Sequence, residues 1–168
     1  GAARLRRALP AGATSELVVL VHPDDRAHHL AAWLPQLRAA AGGDCPVRIV
    51  DGGATRQESM QHGLAACAAD SDLVLVHDAA RALLPIDATR ACIAAAHRSG
   101  AALLAIQAPD TLKKVVASPD GQPRVASTLD RAGVWLAQTP QVIRRDLLLR
   151  AMAHAARTGF VGTDDVSL

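Results

Sequence analysis

Short aliphatic runs recur along the chain, and a stretch with helical spacing follows most of them. Leu73-Val74-Leu75-Val76 is the clearest run: four apolar residues without polar alternation, as a strand covered on both faces requires. Glu16 to Val21, Val47 to Val50 and Ala101 to Ile106 read the same way. Amphipathic stretches run from about Asp25 to Ala41, Arg56 to Ala68, Asp87 to Gly100 and Arg144 to Thr158. The last carries Leu147, Leu148, Ala151, Met152 and Ala155 as an apolar stripe. Pro35 should kink or shorten the first of these helices. Asp87 can cap the third, and Gly100 can end it. Val134 to Ala137 reads as a further strand, with Gln138-Thr139-Pro140-Gln141 ahead of the last helix. Strand and helix alternating nearly throughout predict an α/β layered fold with a mostly parallel sheet. One segment breaks the rhythm. From about Gln107 to Arg131 the chain is polar, and Lys113 to Ala117 and Arg124 to Thr128 flank the turn residues Ser118-Pro119-Asp120-Gly121, so a hairpin is expected.

A chain of 168 residues suits one domain with a proper core. That core must be aliphatic, because Trp33, Trp135 and Phe160 are the only large aromatics. The same scarcity argues against stacking a single nucleic-acid strand, and a net charge of +2 is too small an excess for a nucleic-acid partner. Cys45, Cys67 and Cys92 lie far apart without metal-ligand spacing, and read as small buried residues in a reducing compartment. The seven histidines read as surface residues without ligand spacing, with His28-His29 on a solvated helix face and His62, His97 and His154 on helices. No apolar run reaches spanning length and nothing resembles a signal peptide, so the expectation is a cytoplasmic protein without a membrane partner.

In open α/β sheets, ligands bind beyond the carboxyl ends of strands. Two segments fall there. In Asp51-Gly52-Gly53-Ala54-Thr55-Arg56-Gln57-Glu58-Ser59, the glycines either allow close approach of a ligand or simply make a tight turn. The helix start that follows favours a phosphate or a polar base edge, and Thr55 and Glu58 have capping-box spacing. In His77-Asp78-Ala79-Ala80-Arg81, the carboxylate can hold Mg²⁺ or a ribose hydroxyl and the guanidinium can grip phosphate, or the two can pair with each other. No nucleophile-and-base pair is present. Anion-friendly loops, one well-placed acid and several bases suit phosphoryl or nucleotidyl transfer, in which positioning and charge neutralisation do most of the work.

Asp51-Gly52-Gly53 with Arg56 and Ser59, His77 to Arg81, Asp110-Thr111-Leu112-Lys113, Asp130-Arg131, Trp135, Gln138 to Gln141 and Thr163-Asp164-Asp165 occur in this order. Together they closely resemble the 2-C-methyl-D-erythritol 4-phosphate cytidylyltransferases of the non-mevalonate isoprenoid pathway, from about Glu16 to the last residue. The resemblance implies a Rossmann-like, three-layer nucleotidyltransferase fold with a protruding arm. It implies transfer of CMP from CTP to 2-C-methyl-D-erythritol 4-phosphate, with release of diphosphate and a requirement for Mg²⁺. Gly53, Ser59, Asp78 and Ala79 would bind CTP, with Asp78 also at the metal. Arg81, Thr139 and Thr163 would line the methylerythritol phosphate pocket. Thr111 and Arg131 would reach that pocket from the 107–131 arm of a second subunit in a homodimer, Arg131 positioning the attacking phosphate. Catalysis would rest on Arg131 and Asp78.

The chain departs from the family at Ala82, where proline is usual, and at Ala54, where some relatives carry an acid. The family's Gly-rich phosphate loop, with its arginine and lysine, and a later lysine have no counterpart in residues 1–168. The expectation is therefore a single domain lacking both charge-neutralising parts and unable to turn over as it stands, unless it is part of a longer chain that carries them. Two alternatives remain: a ribitol 5-phosphate cytidylyltransferase, and a non-catalytic dimeric binding module. Lys113, Asp130-Arg131 and Trp135 lean toward the methylerythritol enzyme.

Overall fold

The computed structural model describes residues 2–10, 13, 15–162 and 166. The apolar runs fold as strands. β1 (Leu17–Val21) and β2 (Val47–Asp51) pair in parallel, from Leu17 opposite Val47 to Val21 opposite Asp51. β3 (Leu73–Val76), β4 (Ala101–Gln107) and β7 (Trp135–Arg144) form a second sheet in the order β3-β7-β4. β5 (Leu112–Ala117) and β6 (Pro123–Leu129) pair only with each other, as an antiparallel hairpin.

The α/β class holds, but the mostly parallel sheet does not. Among the described strands only β1 and β2 pair in parallel, and β7 runs antiparallel to both β3 and β4. The cause is the excursion between β4 and β7. A hairpin inserted there returns the chain beside the strand it left, so the next strand must run backward. β7 is also longer than expected. It runs through Gln138-Thr139-Pro140-Gln141, which look like a loop because proline is a strand breaker. The structure accommodates Pro140 at an irregularity: Leu103 pairs with Gln141 but Ala105 with Ala137, so β7 carries extra residues where the proline sits.

Helices cover both faces of β3-β7-β4. α4 (Arg56–Ala66) and α6 (Arg145–Thr158) bury Met60, Leu64, Leu148 and Met152 against Ile143, with Val74 and Val76 packed beside them. α5 (Ile86–Ser99) buries Cys92, Ile93 and Ala96 against Val142, with Leu73 and Leu75. Alternate residues of β3 thus feed opposite cores, which is why the run needs no polar position. α1 (Ala2–Ala8), unexpected from its Ala- and Arg-rich sequence, is tied down by Arg4 donating to the Leu84 carbonyl at 2.7 Å. The first long helical stretch divides at Trp33 into α2 (Arg26–Ala32) and α3 (Leu34–Ala41), with Pro35 in the first turn of α3. Asp87 does not cap α5. Pro85 holds the N-cap position, Asp87 sits in the first turn, and the Thr89 hydroxyl donates to the Pro85 carbonyl at 2.7 Å. Gly100, at φ 93°, ends α5 as expected. No helix among the described residues is long and apolar enough to cross a membrane.

Candidate functional site at the sheet ends

The loop leaving β2 is folded against the start of α4. Gly52 donates to the Val21 carbonyl at 2.8 Å, and Gly53 donates to the Ser59 hydroxyl at 3.0 Å. That hydroxyl donates in turn to the Thr55 carbonyl at 2.9 Å. The capping box is complete: Glu58 donates its backbone N–H to Thr55 Oγ1 at 3.1 Å, and its carboxylate accepts from Thr55 N–H at 3.2 Å and Ala54 N–H at 2.7 Å. The need for glycine at position 53 is steric. A Cβ there would stand 2.2 Å from Glu58 Cβ. The body approaching this glycine is thus the chain's own helix. With its donors committed and Glu58 beside them, the loop suits the polar edge of a base or a hydroxyl better than a free phosphate.

The loop leaving β3 presents charge. Asp78 is gripped from both sides: Arg81 Nε lies 3.1 Å from Oδ2 and Arg56 Nη1 lies 3.7 Å from Oδ1. Arg81 also donates to the side-chain carbonyl of Gln138 on β7. The pairing of Asp78 with Arg81 read from the sequence is therefore present, but as part of a cluster that joins α4, the β3 loop and β7. These side chains are 36–50% exposed, and such half-exposed pairs contribute at most about 1 kcal/mol each. Arg81 has the fork geometry for a bidentate, charge-assisted grip on a phosphate, and so weak a pair would be a small obstacle to it. Arg56, Asp78, Arg81, Ala137, Gln138, Thr139 and Gln141 line a cleft of about 310 Å³.

Within the cleft wall, Thr139 is 7% exposed and its Oγ1 accepts from Asp78 N–H at 3.1 Å. His77 Nδ1 lies 3.0 Å from the same Oγ1, and His77 Nε2 lies 3.0 Å from the Arg81 carbonyl. Burial pushes the His77 imidazole below the usual histidine range, outweighing the Arg81 carbonyl and the Asp78 charge, which pull it up.

The structure therefore brings Asp78, Arg81 and Thr139 together, with Gly53 on the β2 loop bonded to Ser59 in the first turns of α4, while Ala79 is exposed and not among the cleft-lining residues. Thr111 and Arg131 do not line the cleft within this chain. Thr111 is exposed at the root of the hairpin, and Arg131 donates to the Pro109 carbonyl there. Thr163 lies outside the described residues. The sequence shows no sign of a role for Arg56 and Gln138; both belong to recognisable motifs, but only the fold sets Arg56 beside Asp78 and Gln138 beside Arg81. Among the described residues no group of three or more His, Cys, Asp or Glu side chains could hold a metal ion. A lone carboxylate still fits Mg²⁺, which keeps several waters and takes further ligands from substrate phosphates.

A three-layer α/β domain with a glycine-bearing loop and an acid between two guanidiniums, both at strand carboxyl ends, has the layout of a nucleotide- or phosphate-handling domain. The comparisons narrow the class. Residues 3–168 match the family model of IspD, 2-C-methyl-D-erythritol 4-phosphate cytidylyltransferase, and the chain belongs to that family. It is 39% identical over 153 residues to the 2-C-methyl-D-erythritol 4-phosphate cytidylyltransferase of Solibacter usitatus, covering 91% of this chain and 60% of that protein. It is 45% identical over 156 residues to the bifunctional enzyme IspD/IspF of Anaeromyxobacter dehalogenans, covering 93% of this chain and 38% of that one. The crystal structure of the cytidylyltransferase from Thermus thermophilus superposes with a TM-score of 0.67 at 32% identity, over 90% of this chain and 64% of that one. The chain thus spans less than two thirds of the length of these curated relatives.

Proposed function

We propose that this chain supplies the nucleotide and acceptor site for transfer of CMP from CTP to 2-C-methyl-D-erythritol 4-phosphate. The observation that carries this reading is the cleft in which Asp78 stands between Arg56 and Arg81, beside the Gly53 turn and the start of α4 that carries Ser59, in a chain of this family. A phosphate oxygen of the acceptor attacks the α-phosphate of CTP, the bond to the β-phosphate breaks, and diphosphate leaves with its electron pair. The acceptor brings the nucleophile, so the chain needs none. Arg81 exchanges Asp78 for the acceptor's phosphate, Thr139 lines the pocket around the acceptor, and the family resemblance would give Thr163 a role with the same substrate. Gly53 and Ser59 hold the cytosine side, and Ala79 leaves room for the ribose. Asp78, once released, is the carboxylate that would hold Mg²⁺ or a hydroxyl. Mg²⁺ at that point would neutralise charge on the triphosphate.

The β5–β6 hairpin supports a homodimer. Val115, Val116, Val125 and Leu129 on it are 44–62% exposed, and an isolated two-stranded hairpin is marginal in water. In this reading the arm packs on a second copy and delivers Thr111 and Arg131 to that copy's cleft, Arg131 positioning the attacking phosphate. The unpaired thiols Cys45, Cys67 and Cys92 suit the cytoplasm, where they stay reduced.

The test is diphosphate release by the complete gene product from CTP and Mg²⁺ with either 2-C-methyl-D-erythritol 4-phosphate or ribitol 5-phosphate. Release with the methylerythritol substrate alone is expected. Release only with ribitol 5-phosphate moves the protein to the pentitol reaction, and release with neither removes the transferase reading.

A further inference from the structure

His77 does not line the cleft, yet it touches both elements that shape it. The Arg81 carbonyl can only accept, so His77 Nε2, 3.0 Å away, must carry the ring proton. In the neutral ring Nδ1 is then an acceptor, and the Thr139 hydroxyl 3.0 Å away must donate to it. With its proton so committed, Thr139 Oγ1 accepts from Asp78 N–H at 3.1 Å. Arg81 N–H closes the loop on the Asp78 carbonyl at 3.0 Å. Each group in this relay has one available role, so the proton order has a single solution: Asp78 N–H to Thr139, Thr139 to His77, His77 to Arg81.

We propose that His77 is a positioning residue: as the Nε2–H tautomer it ties the backbone of the 78–81 loop to buried Thr139 on β7, and so fixes where Asp78 and Arg81 stand. The strut joins a loop to a central strand, which is the arrangement that keeps a site precise. It also assigns the Thr139 hydroxyl proton to His77, leaving that oxygen only a lone pair to offer an acceptor hydroxyl. This deepens the cytidylyltransferase reading and, for its kinetic part, rests on it.

Two measurements on the complete gene product test the proposal. Long-range ¹H–¹⁵N spectra of the neutral His77 ring should show a protonated Nε2 and an unprotonated Nδ1; the opposite tautomer overturns the strut whatever the activity. Kinetics of His77→Ala, His77→Gln and Thr139→Val form the second. Gln can still donate toward the Arg81 carbonyl, and Val removes the hydroxyl with little change of shape. The expected result for His77→Ala is a loss on the order of a hundredfold in kcat/KM for the acceptor phosphate, with a much smaller change in KM for CTP. His77→Gln should recover part of it, and combining His77→Ala with Thr139→Val should cost little more than either alone. Equal effects on both substrates, or full additivity, would overturn it. Wild type that releases no diphosphate while showing the expected tautomer removes the transferase reading and leaves the strut standing.

Discussion

Gly53→Ala puts the steric account of the first loop at risk. An added Cβ would lie 2.2 Å from Glu58 Cβ and 3.0 Å from the Glu58 carbonyl carbon, where carbon atoms normally sit about 3.5–4.0 Å apart. The atoms in the way belong to the backbone and the root of a side chain, so no rotamer change relieves the overlap. The loop must lift from α4. That surrenders the bonds from Ala54 N–H and Thr55 N–H to Glu58 and from Glu58 N–H to Thr55. Losing a cap costs about 1 kcal/mol, and overpacking a tight site adds about 1–3 kcal/mol. The sum, about 2–4 kcal/mol, should lower Tm by roughly 5–15 °C for a chain of this size. Circular dichroism melts of the wild type, Gly53→Ala and Gly43→Ala decide it. Gly43 has no neighbour within 4 Å of an added Cβ and lies outside the left-handed region, so its substitution should be neutral or slightly stabilising. If Gly53→Ala melts with the Gly43→Ala control, the loop is not clamped on Glu58 as described.

Leu148→Ala, at a side chain 1% exposed among Met60, Leu64, Ile143 and Met152, should cost about 2–5 kcal/mol in urea unfolding. A much smaller loss would mean that α6 is not seated on β7 as described. Asp146 accepts from Arg144 at 3.0 and 2.7 Å, and these bonds hold its carboxyl below the ordinary value of 3.8. The group therefore contributes stability above that value and loses it as the pH falls through the lowered one. The stability difference between wild type and Asp146→Asn should shrink steadily on acidification below that value; a difference that grows there contradicts the assignment. Val115 and Val125 face each other across the hairpin, so Val115→Lys with Val125→Glu keeps a compatible cross-strand pair while removing the apolar surface. Light scattering should then report half the wild-type mass, and an unchanged mass would free the arm from the dimer contact.

Much of this architecture is written locally. Leu73-Val74-Leu75-Val76 reads as a doubly covered strand because each side chain needs an apolar partner, and two cores meet there. Thr55 and Glu58 announce a helix start through chemistry confined to a few residues. What stayed hidden depends on distant neighbours. Pro140 looks like a breaker until the irregular β4–β7 register gives it a place in a central strand. The direction of β7 follows from the return of a hairpin, which periodicity does not encode. The same division holds at the site. Asp78 and Arg81 are near in sequence and their pairing could be foreseen, whereas Arg56 and Gln138 meet them only through packing of α4 and β7. The commitment of Ser59 to Gly53 and Thr55, and of Thr139 to Asp78 and His77, also needed the fold.

Whether the two loops together form the nucleotide site can be read from backbone amide chemical shifts of the complete gene product, titrated with CTP and Mg²⁺. The largest saturable shifts within this chain should fall on 52–59 and 77–81, with the Arg81 side-chain signal moving as its contact with Asp78 breaks. Saturable shifts that leave both loops still, and gather instead on the surface around Arg38 to Arg48, would contradict this placement.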